Sequence, residues 1–205
     1  MIVLKTHSEL ERMKKACRIS AESLNVAEEW IRPGVTTKEI DRAMHDFIVR
    51  AGATPSFLGL YGFPASACIS VNDVVLHGIP SDYHLQEGDI VSVDGGACCD
   101  GYHGDNAYTF TVGKVAPEVE TLLRVTQESL YKGIEAAVIG NRIGDISNAV
   151  QSHVTPYGFG IVRQFVGHGV GKALHEDPEV PNFGKPGHGP RLAEGMTIAI
   201  EPMIT

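Results

Sequence analysis

Several features that would point to other classes of protein are missing from this sequence of 205 residues. No run of about 18 apolar residues occurs, so no membrane-spanning helix is predicted. The N-terminus offers only Ile2, Val3 and Leu4 before charged residues begin, which does not resemble a secretion signal. Basic residues are scarce and unclustered, 17 Lys and Arg against 25 Asp and Glu, which argues against a nucleic-acid partner. We therefore expect an unsecreted protein that binds neither membranes nor nucleic acid.

Cysteine is also rare. The four cysteines are Cys17, Cys68, Cys98 and Cys99, and no pair has the CxxC spacing of a structural zinc site. We expect free thiols, as is usual for proteins of the reducing cytoplasm.

Familiar catalytic motifs are absent too. The sequence contains no HExxH and no GxSxG, and Gly171-Lys172-Ala173 lacks the Ser or Thr of a phosphate-binding loop. Helix-borne zinc peptidases, hydrolases with a nucleophile elbow and P-loop enzymes are therefore not indicated.

The composition, with 43% hydrophobic and 20% charged residues, is that of a globular protein with a sizeable core. Apolar spacing predicts a first helix at 8–31, with Ser8 and Glu11 as a capping box. A second capping box of Thr36 and Glu39 predicts another helix that ends near residue 52. Strand-like segments follow at 67–76, 89–99 and 102–112.

The same order of elements then starts again, with helices at 117–138 and 145–154 and apolar runs at 159–166 and 196–204. Residues 87–94 and 194–201 share one pattern, and an acid, Asp94 or Glu201, ends each. We expect an α+β fold of two pseudo-symmetric halves, about 1–115 and 116–205, within one catalytic domain. A central antiparallel sheet would lie inside outer helices. Chance similarity between two segments of small and aliphatic residues is the alternative.

Asp94 and Asp105 are the first candidates for chemistry. Asp100-Gly101 is a hairpin signal, and a two-residue turn there places Gly96 opposite Asp105. Both carboxylates then lie on one face as diagonal neighbours, about 7–8 Å apart at the backbone. Like charges on a half-buried face repel each other unless a cation lies between them.

His168 and Glu201 extend this group. His168 lies in Gly167-His168-Gly169-Val170-Gly171, whose flexible backbone suits close approach to a ligand. Carboxylates with one imidazole suit manganese, iron, cobalt or zinc, and two metals bridged by carboxylates can activate a water molecule. Glu201 could be both a ligand and the base that takes the proton.

Motifs along the whole chain resemble type I methionine aminopeptidase. They lie at 72–80, at Asp94 with 100–105, at 167–171 and at 201–203. The resemblance implies the pita-bread fold, in which two similar halves enclose the site. The family continues beyond the Glu-Pro-Met of 201–203 and supplies a second bridging Glu. We therefore expect the C-terminal strands to be missing from a sequence that ends at Thr205.

The resemblance also implies a role for individual residues. The family's metal ligands match Asp94, Asp105, His168 and Glu201. Its substrate-contacting histidines match His77 and His175, which together with the base Glu201 form the catalytic group. Its methionine pocket matches Leu60, Phe63 and Cys68, although an aromatic residue is more usual at position 60.

The expected function is the removal of N-terminal methionine from polypeptides whose second residue is small, with two divalent ions (Co, Mn, Fe or Zn) as cofactors. Expected partners are peptides with N-terminal Met and nascent chains at the ribosome, and we expect a monomer. A dipeptidase or aminopeptidase P-like enzyme acting on Xaa-Pro substrates is one alternative. A noncatalytic peptide-binding module of the same fold is another.

Overall fold

A computed structural model describes residues 1–205, and these divide into two compact units. We call Glu9–Ala116 with Gly171–Leu174 the hairpin unit, and Met1–Ser8, Pro117–Val170 and His175–Thr205 the histidine unit. None of the helices combines the length and the apolar character that a membrane span requires. The origin of the halves by duplication stays a prediction.

Two helices open the chain. Helix α1 spans His7–Trp30, so Ser8 lies in its first turn and the predicted cap at Ser8 is wrong by a small margin. Helix α2 spans Thr37–Arg50, and its predicted capping box is confirmed. The Thr36 amide donates to Glu39 Oε2 over 2.7 Å, and the Glu39 amide donates to Thr36 Oγ1 over 3.2 Å. These bonds satisfy amides that the first helical turn leaves without partners.

The hairpin unit is built on four antiparallel strands: β1 (Thr54–Pro55), β2 (Ala67–Val71), β3 (Ile90–Cys99) and β4 (Tyr102–Thr111). Strand β3 is the central strand, because it pairs with each of the other three. The predicted hairpin is confirmed, with Asp100 and Gly101 at φ 53° and 79° in the turn. Strand β2 ends before the predicted residue 76, because the backbone turns at Asn72 with φ 51°.

The core of this unit forms where α1 and α2 cover the sheet. Ala27, Ile40 and Met44 are completely buried against Val91 and Val93 of β3. Burying each of the larger aliphatic side chains contributes about 1.5–3 kcal/mol. This packing holds β3 and β4 in fixed positions.

The histidine unit contains α3 (Pro117–Ala136), α4 (Ile143–Val154), β5 (Gly167–Gly169) and β6 (Glu176–Val180). The predicted helices are confirmed, although α3 ends two residues before 138 and α4 begins two residues before 145. Ile143, Ile146 and Val180 form a buried cluster with Leu192. Strands β5 and β6 pair antiparallel, with a bulge between His168 and Gly169.

The second apolar run, 196–204, does not form the regular strand expected from its pattern. It makes isolated bridges instead, Ile198 with Gly169 and Ile204 with Ile161. The Ala199 amide still donates to His168 O over 2.7 Å, which keeps the segment beside β5. The β-bulge between His168 and Gly169 lies where this segment meets β5. Such a bulge interrupts the regular spacing of backbone hydrogen-bonding groups.

Candidate metal centre

The hairpin unit carries two carboxylates on one face of its sheet. Gly96 pairs with Asp105 and Asp94 pairs with Ala107, as the hairpin register predicted. Gly104, the neighbour of Asp105, faces α1 so closely that a Cβ there would lie 2.4 Å from Cys17 N and 2.5 Å from Ala16 C. This direct contact between helix and strand fixes the backbone from which Asp105 projects.

Cys68 lies directly opposite Asp94 in the β2–β3 ladder. Burial, reinforced by the negative charges of Asp94, Asp105 and Asp41, raises the pKa of the Cys68 thiol to about 12. The side chain is therefore a neutral thiol, which behaves as a small apolar group. A thiolate nucleophile is not indicated at this position.

An apolar cluster surrounds Cys68 and brings together the three residues assigned to the methionine pocket. Leu60 and Phe63 pack against a buried group of Phe57, Cys68 and Leu174. Phe57 and Leu174 were not among the residues singled out in the sequence. Only their positions in the sequence could have indicated them: Phe57 lies close to Leu60 in the chain, and Leu174 immediately precedes His175.

His77 lies in the loop that follows β2, at φ 56° and exposed to solvent. Its neighbour Gly78 is anchored, because its amide donates to Ser70 Oγ over 3.0 Å and its carbonyl accepts from the Ile69 amide over 2.8 Å. A Cβ on Gly78 would lie 2.2 Å from Ile69 O, so only glycine allows this approach. The loop therefore holds the His77 backbone in a defined place.

In the histidine unit, His168 and Glu201 come into direct contact. His168 Nε2 on β5 lies 3.1 Å from Glu201 Oε1 on the 196–204 segment. The other ring nitrogen, Nδ1, lies 2.7 Å from Gly169 O. A carbonyl oxygen can only accept, so Nδ1 carries the hydrogen of this bond.

Glu201 Oε1 is buried and makes no hydrogen bond, despite its short distance from His168 Nε2. A cation bound to both atoms would satisfy the imidazole nitrogen and the carboxylate oxygen together. A histidine that donates its second ring N–H to a carbonyl is typical of metal-binding histidines. These donors fit a divalent metal ion.

Two further residues support this pair. The His175 ring meets the His168 ring edge-on, with centroids 4.4 Å apart and planes at 81°. Buried Asn182 donates from Nδ2 to the backbone oxygen of Glu201 over 2.6 Å, which holds the segment that carries the carboxylate. No pattern in the sequence singled out Asn182.

A mixed helical and antiparallel fold in which an imidazole faces a half-buried carboxylate fits the class of metal-dependent hydrolases. The chain belongs to metallopeptidase family M24, whose family model matches residues 11–205. This match confirms the resemblance found in the sequence.

Relatives named methionine aminopeptidase match the whole chain. One from Clostridium perfringens is 57% identical, with 100% of this chain and 82% of the relative covered. Methionine aminopeptidase 1 of Bacillus subtilis is 49% identical, with the same shares covered.

Solved structures agree on the fold. Methionine aminopeptidase from Rickettsia prowazekii has a TM-score of 0.98 at 39% identity, covering 100% of this chain and 82% of that one. Prolidase from Pyrococcus furiosus has a TM-score of 0.86 at 28% identity, covering 98% of this chain and 57% of that one. The fold is thus the pita-bread fold that these two kinds of enzyme share, as the resemblance implied.

Proposed function

We propose that the protein is a methionine aminopeptidase, which hydrolyses the bond after an N-terminal methionine. The observation that carries this proposal is the buried Glu201 Oε1, without a hydrogen bond and 3.1 Å from His168 Nε2. In a chain of family M24 with relatives of that name, such a pair suits a hydrolytic metal centre.

The proposed ligands are Asp94, Asp105, His168 and Glu201, which would hold two divalent ions. Asp105, His168 and Glu201 offer carboxylate oxygens and an imidazole nitrogen, which suit Co, Mn, Fe or Zn. When bound, such ions lower the pKa of a coordinated water and polarise a carbonyl. The proposed role of Glu201 is to accept a proton from water and pass it to the leaving amine.

The remaining residues would bind and orient the substrate. We assign His77 and His175 to hydrogen bonds with the peptide and with the oxygen that gains charge during hydrolysis. Leu60, Phe63 and the neutral thiol of Cys68 would surround the methionine side chain, since a thioether packs well beside sulfur and aromatic groups. Such a pocket would distinguish methionine from other side chains by its shape and by apolar contacts.

A peptide panel tests this proposal. With metal supplied, we expect release of methionine from Met-Ala-Ser and hardly any from Met-Leu-Ser, because the site is expected to close around a small second residue. Cleavage of Ala-Pro instead would favour the Xaa-Pro dipeptidase, whose fold also matches. Tight binding of Met-Ala-Ser without any cleavage would favour the noncatalytic peptide-binding module.

The expected setting is part of the same proposal. All four cysteines have free thiols, which suits the reducing cytoplasm. There the protein would act as a monomer on newly made polypeptides at the ribosome. Sedimentation and ribosome pelleting would test the monomeric state and the location separately.

A further inference from the structure

The histidine unit contains an ion pair that its proposed chemistry does not use. Lys5 Nζ donates to Glu176 Oε2 over 2.6 Å and to Val3 O over 3.2 Å. Only 3% of the Lys5 side chain and 14% of the Glu176 side chain are exposed. Lysine is almost never buried to this extent unless it is paired.

Stability alone is a weak explanation for such a pair. Removing two charges from water is costly, and their attraction often does no more than offset that cost. An ion pair does fix the relative position of the two chain segments that it joins. The segments joined here are the N-terminal residues and the start of β6.

The N-terminal partner is itself anchored. The Lys5 amide donates to Gly195 O over 2.8 Å. Gly195 has φ 85°, and a Cβ there would lie 2.7 Å from Lys5 O, so the two backbones touch. Lys5 is therefore a fixed point from which its ammonium group reaches Glu176.

The other partner, Glu176, adjoins the site. It is the first residue of β6 and pairs with Gly169 of β5, immediately beyond the bulge after His168. The residue before it is His175, whose ring lies edge-on to His168. A shift of Glu176 would therefore displace the backbone of His175.

We propose that Lys5 is a positioning residue, which fixes the His175 ring beside His168 by holding Glu176. The inference rests on the proposed function, in which His175 contacts the substrate. In this role Lys5 acts through Glu176, the neighbour of His175 in the chain. A displacement of about 1 Å in an active site can lower a rate about 100-fold.

The test compares Lys5→Met, which keeps the length but loses the charge, with Lys5→Arg, which keeps the charge. Asp177→Asn is the matched control, because the adjacent Asp177 also forms an ion pair, with the Met1 ammonium group, but at the exposed surface. Release of methionine from Met-Ala-Ser is measured well below each variant's melting temperature. We expect kcat of Lys5→Met to fall about tenfold or more with KM nearly unchanged, and Lys5→Arg to recover most of it.

A double-mutant cycle with His175→Ala separates positioning from general stability. If Lys5 acts through His175, then Lys5→Met has little further effect on kcat once His175 is gone. Equal effects of Lys5→Met in both backgrounds would overturn the inference, as would a comparable loss in Asp177→Asn.

Crystal structures of Lys5→Met and Asp177→Asn give a readout that does not depend on activity. We expect the His175 ring to leave its edge-on position beside His168 in Lys5→Met only. An unmoved ring in Lys5→Met refutes positioning. A wild-type protein that cleaves no methionyl peptide refutes the proposed function, while the structures still decide the role of Lys5.

Discussion

At the scale of single residues, the site depends on atoms that would be unfavourable in isolation. His168 Nε2 and Glu201 Oε1 lie 3.1 Å apart, and Glu201 Oε1 is buried without a hydrogen bond. Asp94 and Asp105 likewise place two negative charges on one face of a hairpin. Such arrangements persist when a cation compensates them, which is why metal content is the most informative property of variants at these positions.

Asp105→Asn should lose bound metal and lower peptidase activity about 100-fold or more, because an amide is a poorer ligand than a carboxylate. Asp100→Asn is the matched control in the same hairpin. Asp100 lies in the turn at φ 53°, a conformation that asparagine also tolerates, and pairs only with exposed Lys15. Elemental analysis and methionine release should separate the two variants; unchanged metal in an active Asp105→Asn protein would contradict its role.

A second residue-scale prediction concerns Asp89, which is 7% exposed. Burial alone would raise the pKa of this carboxyl, but hydrogen bonds from Asn72, the Gln86 amide and Tyr83 outweigh it and lower the pKa below the usual value. A carboxyl with a depressed folded pKa contributes stability above its unfolded pKa of about 3.9. That contribution is lost as the pH falls through the folded pKa.

Asp89→Asn should therefore lower the free energy of unfolding by about 1–3 kcal/mol at pH 7, and the difference should shrink below about pH 4. Urea unfolding at pH 7 and pH 3 measures both values. Asp82→Asn is the control, because Asp82 is exposed and pairs only with exposed Lys38, so a change within about 0.5 kcal/mol is expected. A difference for Asp89→Asn that is equally large at both pH values would show that its charge is unimportant.

At the scale of elements, the β3–β4 hairpin places the carboxylates of Asp94 and Asp105 on one face of the sheet. Two glycines of this hairpin are required for different reasons. Gly101 takes φ 79° in the turn, where a Cβ would meet nothing within 4 Å. Gly104 lies against the backbone of α1, where a Cβ would lie 2.4 Å from Cys17 N. The first glycine relieves backbone strain and the second makes room for a helix.

Gly104→Ala should destabilise the protein by about 3 kcal/mol or more, because backbone atoms of α1 cannot move aside cheaply. Gly101→Ala should cost only about 1–2 kcal/mol, the strain of a left-handed alanine. Urea denaturation of the two variants under one set of conditions gives the comparison. If both variants lost the same free energy of unfolding, α1 would be able to move away from β4 at little cost.

The hairpin was also the element most open to prediction. Asp100-Gly101 selects a two-residue turn, and the turn fixes the register that places Asp94 and Asp105 on one face. The 196–204 segment was less predictable, because an apolar pattern does not reveal that only isolated bridges will form. Asn182 and Lys5 could not be found at all, since their contacts with Glu201 and Glu176 join residues far apart in sequence.

At the scale of the whole molecule, family membership and local geometry support one account. The chain belongs to metallopeptidase family M24 and covers 82% of the length of relatives named methionine aminopeptidase. A closely similar fold is also found in prolidase, so the fold alone does not select the substrate. The choice between substrates rests on the apolar cluster around Cys68, which suits a methionine side chain.

His168 and Glu201 are proposed to hold a metal ion that activates water for the release of methionine. The most direct measurement follows free methionine from Met-Ala-Ser with protein stripped of metal, then with manganese or cobalt restored, for the wild type and Glu201→Gln. We expect no release by the stripped wild type, full release after metal is restored, and a loss of about 100-fold or more in metal-restored Glu201→Gln. Equal release by stripped and restored wild-type protein, or an undiminished rate in Glu201→Gln, would contradict it.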